Sequence, residues 1–79
     1  MSFDDVAAQV LEGLGGADNI ETLEPCITRL RVELHDASKL DEAVLRKAGA
    51  HGVMKAGKVV QVVMGTQSDN IESAMRRLM

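Results

Sequence analysis

The chain has one cysteine, and its surroundings are where chemistry concentrates. Cys26 is followed at three and five residues by Arg29 and Arg31, the first two positive charges in the sequence. A thiol is a good nucleophile only as the thiolate, a form favoured by nearby cations and unpaired backbone N–H groups. Planar guanidinium groups grip two phosphate oxygens at once, which lysine does not do. A turn can also aim consecutive N–H groups into a concavity that holds an anion. Cys26 in a hairpin turn, with both arginines on one strand face, therefore points to a thiolate that takes on a phosphoryl group. The charge distribution marks the same place. Six acids and no Lys or Arg precede Arg29, whereas all nine bases and the other six acids lie from Arg29 onward.

Plainer readings compete with this one. A lone cysteine in a reducing compartment is more often a small buried hydrophobe than a nucleophile. Arg-x-Arg on a strand commonly marks only the wet face of a sheet. Thr28 would ordinarily be a β-branched core or rim residue, and Gln61 could simply bond a neighbouring backbone group. His35 and His51 read as surface residues in or beside turns. With Cys26 they make three candidate ligands, but no CxxC or HxxxH spacing joins them, so neither a metal nor another cofactor is expected.

The elements that must position these residues follow from periodicity and capping. Ser2 with Asp5 opens a first helix, Val6, Val10, Leu11 and Leu14 recur at helical spacing, and Gly15-Gly16 stops it. Ile20 to Leu23 is a short first strand, with Glu24-Pro25 as the turn signal after it. From Ile27 to Leu34 the period is two: Thr28, Leu30, Val32 and Leu34 alternate with Ile27, Arg29, Arg31 and Glu33, a strand with one buried and one polar face. Ser38 with Asp41 opens a second helix, whose stripe is Leu40, Ala43, Val44 and Ala48. Val53 to Lys55 and Val59 to Met64 form a hairpin turning at Gly57. Val59 to Met64 is apolar on both parities, as a central strand is, with Gln61 its only polar member. Thr66 with Asp69 opens a third helix carrying Ile71, Ala74, Met75 and Leu78. The order α-β-β-α-β-β-α predicts an α+β fold, a four-stranded antiparallel sheet with three helices on one face, over residues 1–79 as a single domain.

Composition closes off several functions. The 79 residues carry a net charge of −3 with one Phe and no Trp or Tyr, which speaks against a nucleic-acid binder that relies on charge or stacking. No apolar run approaches the ~20 residues of a membrane helix. No basic leader precedes an apolar stretch, and one cysteine forms no internal disulfide, so a cytoplasmic location is expected.

Cys-Ile-Thr-Arg-Leu-Arg (Cys26 to Arg31), preceded by Gly-Gly-Ala-Asp-Asn-Ile (Gly15 to Ile20), resembles the EIIB domain of the glucose-class bacterial phosphoenolpyruvate-dependent sugar phosphotransferase system (PTS). The likeness continues through Lys39-Leu40-Asp41, through Ala48 to Val53, and through Gln61 to Ile71, which includes Gly-Thr-x-Ser-Asp-Asn. The resemblance implies the same four-stranded sheet with three helices, with Cys26 accepting a phosphoryl group from a phosphohistidine of the A component. The cysteine would then pass it to a sugar, of glucose or N-acetylglucosamine type, held by the membrane C component. It implies that Arg29 and Arg31 assist transfer, that Thr28 lies beside the phosphocysteine and Gln61 near it, and that N–H groups from Cys26 onward, at Ile27 and Thr28, hold the phosphate. It also implies a monomer that meets the inner face of the membrane only through the C component. Many members carry Asp-Ala before the cysteine, where this chain has Glu24-Pro25. Pro25 has no N–H to offer, and Glu24, which would repel phosphate, is expected to point away. The alternative within the same fold is a non-catalytic regulatory module. A redox-sensing thiol ranks behind both, since the chain holds no resolving cysteine.

Overall fold

The first helix, α1 (Phe3–Gly13), begins where its local chemistry dictates. The Ser2 hydroxyl accepts the Asp5 N–H at 3.2 Å, and the Asp5 carboxylate accepts the Ser2 N–H at 3.4 Å, so two N–H groups that the helix cannot use internally are satisfied. The computed structural model describes residues 2–79. After α1 come β1 (Ile20–Cys26), β2 (Arg29–Leu34), α2 (Glu42–Lys47), β3 (Gly52–Ala56), β4 (Val59–Val63) and α3 (Ser68–Leu78). Short 3-10 turns at Ala17–Asn19, Ala37–Lys39 and Gly65–Gln67 lead into β1, α2 and α3. The fold is α+β, as the residue patterns predict.

The four strands form one antiparallel sheet in the order β1-β2-β4-β3. Alternation decides which face is covered. Leu30, Val32 and Leu34 of β2 and Val60 and Val62 of β4 are fully buried beneath the helices. Arg29, Arg31 and Glu33, with Val59, Gln61 and Val63, stand on the other face. Ala7, Val10, Leu11 and Leu14 from α1, Leu45 and Ala48 from α2, and Ile71, Ala74 and Met75 from α3 complete the core. α1 lies between the other two helices, packing against both, and α3 rests on β1 and β2. Among the described residues no helix is long and apolar enough to cross a membrane.

β3 (Gly52–Ala56) is one residue longer at each end than expected and β4 ends one residue earlier, at Val63, while four larger differences from the sequence expectation have a physical reason. β1 does not stop before Glu24-Pro25 but runs to Cys26, because β1 is an edge strand and there a proline nitrogen deprives no neighbour of a hydrogen bond. β2 starts at Arg29, not Ile27, and the turn is Ile27-Thr28. α2 is capped by Asp41, whose carboxylate accepts the N–H groups of Ala43 (3.1 Å) and Val44 (3.3 Å). Ser38 instead lies in the preceding 3-10 turn, its hydroxyl and N–H donating to Asp36. The face α2 buries centres on Leu45, while Ala43 is exposed. Finally, Thr66 and Asp69 form no capping box on α3. The Gly65–Gln67 turn leads directly into the helix, and the Ser68 hydroxyl donates to the Gly65 carbonyl at 2.8 Å.

One buried polar side chain ties the strand-entry loops together. Asn19 is 3% exposed; its amide nitrogen donates to the carbonyls of Leu14 (2.8 Å) and Asp36 (3.0 Å), and its oxygen accepts the Asp36 N–H (2.9 Å). The packing around it is close: a Cβ at Gly15, where φ is +98°, would come within 2.6 Å of the Asn19 side-chain nitrogen. Removing Asn19 leaves three backbone groups without their partner, each net bond being worth about 1 kcal/mol and an unmet buried group costing more. Asn19→Ala is therefore expected to lower the unfolding free energy by about 3 kcal/mol in a urea titration. A loss below about 1 kcal/mol would show that water replaces the amide without penalty.

Candidate functional site

The site is built by the turn between β1 and β2. Cys26 and Arg29 are direct cross-strand partners, with only Ile27 and Thr28 between them. Opposed residues in an antiparallel pair point to the same face, with Cβ atoms about 4.5–5.5 Å apart. Cys26 therefore shares the outer, helix-free face with Arg29, and the same row continues to Val63 of β4 and Gly52 of β3. The next row on this face is Glu24, Arg31, Gln61 and Met54. Arg31 is thus diagonal to Cys26, at a Cβ separation of roughly 7–8 Å that a long guanidinium side chain spans.

The two arginines are held differently. Arg29 is half-buried, and its Nη1 donates to the Gln61 side-chain oxygen at 3.0 Å. That bond fixes the guanidinium plane and leaves its other N–H groups for an anion, since arginine has five donors. Gln61 is therefore a support for Arg29 rather than the backbone-bonded strand residue its isolated position suggests. Arg31 is exposed and lines a shallow hollow of about 180 Å³ with Thr22, Glu24, Glu33 and Val59. Glu24 does not turn away from the site. It faces Arg31 across the β1–β2 pair, on the same side of the sheet as Cys26.

The turn itself stands proud of the molecule. Cys26 is exposed and Ile27 is 83% exposed, although isoleucine gains nothing from water. Ile27 has φ +51°, the only positive φ at a non-glycine among the described residues. A β-branched residue in that region carries strain of order 1–3 kcal/mol, and such strain persists only where the surroundings over-determine the backbone. On one side the constraint is the Cys26–Arg29 pairing. On the other, the Thr28 carbonyl accepts two N–H groups, from Met64 at 3.2 Å and Gly65 at 3.0 Å. With the carbonyl so engaged, the N–H groups of Ile27 and Thr28 donate to no carbonyl among the described residues and are available to an anion.

Sequence reasoning anticipated Cys26, Ile27, Thr28, Arg29, Arg31 and Gln61, and all six lie on or beside this turn. It placed Ile27 and Thr28 in a strand, whereas they are the turn. It did not anticipate the part played by Met64 and Gly65. Their signal was present in the Gly-Thr-x-Ser-Asp-Asn stretch but carried no chemistry of its own. Of the two histidines, His35 is exposed and its N–H donates to the Asn19 carbonyl at 2.8 Å, away from the turn. His51 is exposed too, but sits at the site's end of the sheet, its N–H on the Val63 carbonyl at 2.8 Å.

Known proteins resemble this chain in sequence and in fold. The family described as "phosphotransferase system, EIIB" matches residues 8–41, which include the cysteine turn and both arginines. A relative from Streptomyces coelicolor, named as the N-acetylglucosamine-specific EIIB component of a PTS, is 49% identical over 73 residues, covering 92% of this chain and 95% of its own. Among solved structures, a crystal structure of one domain of the PTS IIabc component from Clostridium difficile is similar at a TM-score of 0.81 and 27% identity, covering 98% of this chain and 81% of that one.

Ile27→Asn tests the reading of the turn. Asparagine enters the left-handed region far more readily than isoleucine, and the exposed side chain loses little burial. The substitution is expected to raise the unfolding free energy by about 1 kcal/mol in denaturant titration. A destabilised variant would show that Ile27 is held by packing and not merely tolerated.

Proposed function

This chain belongs to the EIIB family of the phosphotransferase system, and from that premise we propose that Cys26 is its phosphoryl-carrying residue. EIIB components are phosphotransferases, which supports the general activity; the assignment to one sulfur is the proposal. The observation that carries it is the pairing of an exposed Cys26 with Arg29 across a two-residue turn, with the guanidinium fixed by Gln61. Residues 1–79 then act as one carrier domain between an A component and a membrane C component. The sugar is proposed to be of N-acetylglucosamine type, because that is the specificity named for the Streptomyces relative.

The transfer has two steps. In the first, the Cys26 thiolate attacks the phosphorus of a phosphohistidine on the A component. An S–P bond forms as the N–P bond breaks, and the imidazole nitrogen departs with the electron pair. In the second, a sugar hydroxyl oxygen attacks the same phosphorus, the S–P bond breaks, Cys26 leaves as thiolate, and the hydroxyl proton passes to a base on the C component. Both transition states spread negative charge over three equatorial oxygens, so catalysis rests on position and electrostatics. Arg29, held by Gln61, supplies a planar donor beside the sulfur. The Ile27 and Thr28 N–H groups meet oxygens at the turn, and Arg31 reaches the phosphoryl group diagonally across the sheet. A protruding turn suits a carrier, because two different partners must approach the same phosphorus in succession. Glu24, two residues along the strand from the cysteine and opposite Arg31, opposes phosphate by its charge.

With phosphoenolpyruvate and the upstream PTS carriers, the protein is expected to gain the mass of one phosphoryl group on Cys26, and Cys26→Ser is expected to form no thiophosphate. A non-catalytic module would gain no phosphate in that mixture, and a label on any other residue would end the assignment. Arg29→Ala and Arg31→Ala should each unfold at the wild-type temperature, because both side chains stand on the helix-free face. Transfer to N-acetylglucosamine by membranes containing a C component should fall by roughly 10²-fold for Arg29→Ala, the scale of losing one aligned donor to developing charge.

A further inference from the structure

We propose that Gly65 is a positioning residue for the phosphoryl site, acting through the Thr28 carbonyl and never touching the transferred group. The inference rests on the reading that Cys26 carries phosphate. It concerns what keeps the turn in its receiving shape.

Gly65 is clamped at both of its peptide groups. Its N–H donates to the Thr28 carbonyl at 3.0 Å, alongside the Met64 N–H at 3.2 Å. Its own carbonyl accepts the hydroxyl of Ser68, a residue fully buried at the start of α3. Between these clamps the backbone has φ +84°, which glycine adopts freely and L-residues rarely do. Space is not the obstacle to a larger residue. A Cβ at this position meets only the His51 ring, at 3.7 Å, an ordinary contact. The obstacle is conformation alone.

The consequence runs toward the sulfur. An L-residue at position 65 relaxes by turning φ negative. The peptide group after it is held by buried Ser68, so the peptide group before it must move, and that group carries the N–H on Thr28. Losing this donor leaves the Thr28 carbonyl with the longer Met64 bond alone, and so loosens one of the two constraints that hold Ile27 in its strained left-handed conformation. Once Ile27 relaxes, the Ile27 and Thr28 N–H groups change direction, and the phosphoryl group loses these donors while Cys26 and both arginines remain. Gly65 therefore governs how fast the thiophosphate forms and how long it survives water.

The test compares the wild-type chain with two synthetic variants of the full 79 residues, Gly65→L-Ala and Gly65→D-Ala. D-alanine has the same extra methyl but prefers positive φ, so it separates conformation from bulk. Thermal midpoints are recorded first, so that rates are compared on folded protein. The rate of Cys26 phosphorylation by phosphoenolpyruvate and the upstream carriers, and the hydrolysis lifetime of the isolated phosphoprotein, are then measured. The L-Ala variant is expected to be phosphorylated roughly tenfold or more slowly and to lose phosphate faster, as small misplacements at a transfer site do. The D-Ala variant is expected to match wild type in both. Wild-type rate and lifetime in the L-Ala variant would overturn the inference while leaving Cys26 as carrier. Equal impairment in the D-Ala variant would overturn it too, pointing to contact with His51. If the L-Ala variant does not fold, the D-Ala variant decides alone, since wild-type transfer there supports the required φ and impaired transfer refutes it. A wild-type chain that takes no phosphate on Cys26 would remove the carrier reading, and with it anything for Gly65 to position.

Discussion

The shortness of the link between β1 and β2 is the constraint from which the site follows. With two residues between paired strands, Cys26 and Arg29 must oppose each other, and the pleat then puts sulfur and guanidinium on one face. A link one residue longer or shorter would shift the register and turn Leu30, Val32 and Leu34 out of the core. Those three side chains are fully buried, so the pairing is enforced by several kcal/mol of apolar burial at ~1.5–3 kcal/mol each. The core beneath the sheet thus specifies the spacing of charged groups above it. No deep pocket is needed to bring them together.

The same burial explains how a strained residue survives at the tip. Ile27 at φ +51° costs on the order of 1–3 kcal/mol, less than slipping either strand would. The turn is closed from the far side as well, because the Thr28 carbonyl receives N–H groups from the chain leaving β4. In this conformation the N–H groups of Ile27 and Thr28 donate to no carbonyl among the described residues. Isoleucine there also presents an apolar surface, 83% exposed, right beside the sulfur.

How much of this the sequence conveyed depended on how local the cause was. The start of α1 was legible because Ser2 and Asp5 satisfy each other within three residues. The alternation of Leu30, Val32 and Leu34 with Arg29, Arg31 and Glu33 was legible because one face is buried and the other is not. Pro25 misled, since a proline suggests a turn unless the strand is known to lie at an edge, and edge position is a property of the whole sheet. Ile27 misled for the opposite reason, because β-branched residues favour strands and the turn that holds its left-handed backbone is fastened at the Thr28 carbonyl by Met64 and Gly65, far along the chain. The starts of α2 and α3 were blurred by 3-10 turns, where Asp36 and Ser68 make hydrogen bonds that imitate or replace a helix cap. Gln61 was visible as the odd polar residue of a central strand, but its bond to Arg29 joins neighbouring strands 32 positions apart in sequence.

The outer face of the sheet shows why the arginines and the carboxylates coexist there. A bare pair of arginines beside a thiol would attract any anion, including ones that block the sulfur. Glu24 opposite Arg31, and Glu33 two residues beyond it, set negative charge beside that arginine. Arg29 has Gln61 in place of a carboxylate, so its orientation is fixed while its charge stays uncompensated. A neutral amide is the better support for that purpose. A carboxylate at position 61 would hold the guanidinium as firmly but would cancel its positive potential beside the sulfur. The two arginines thus differ in what stands next to them: Arg29 is bonded to a neutral amide, and Arg31 faces Glu24 across the strand pair.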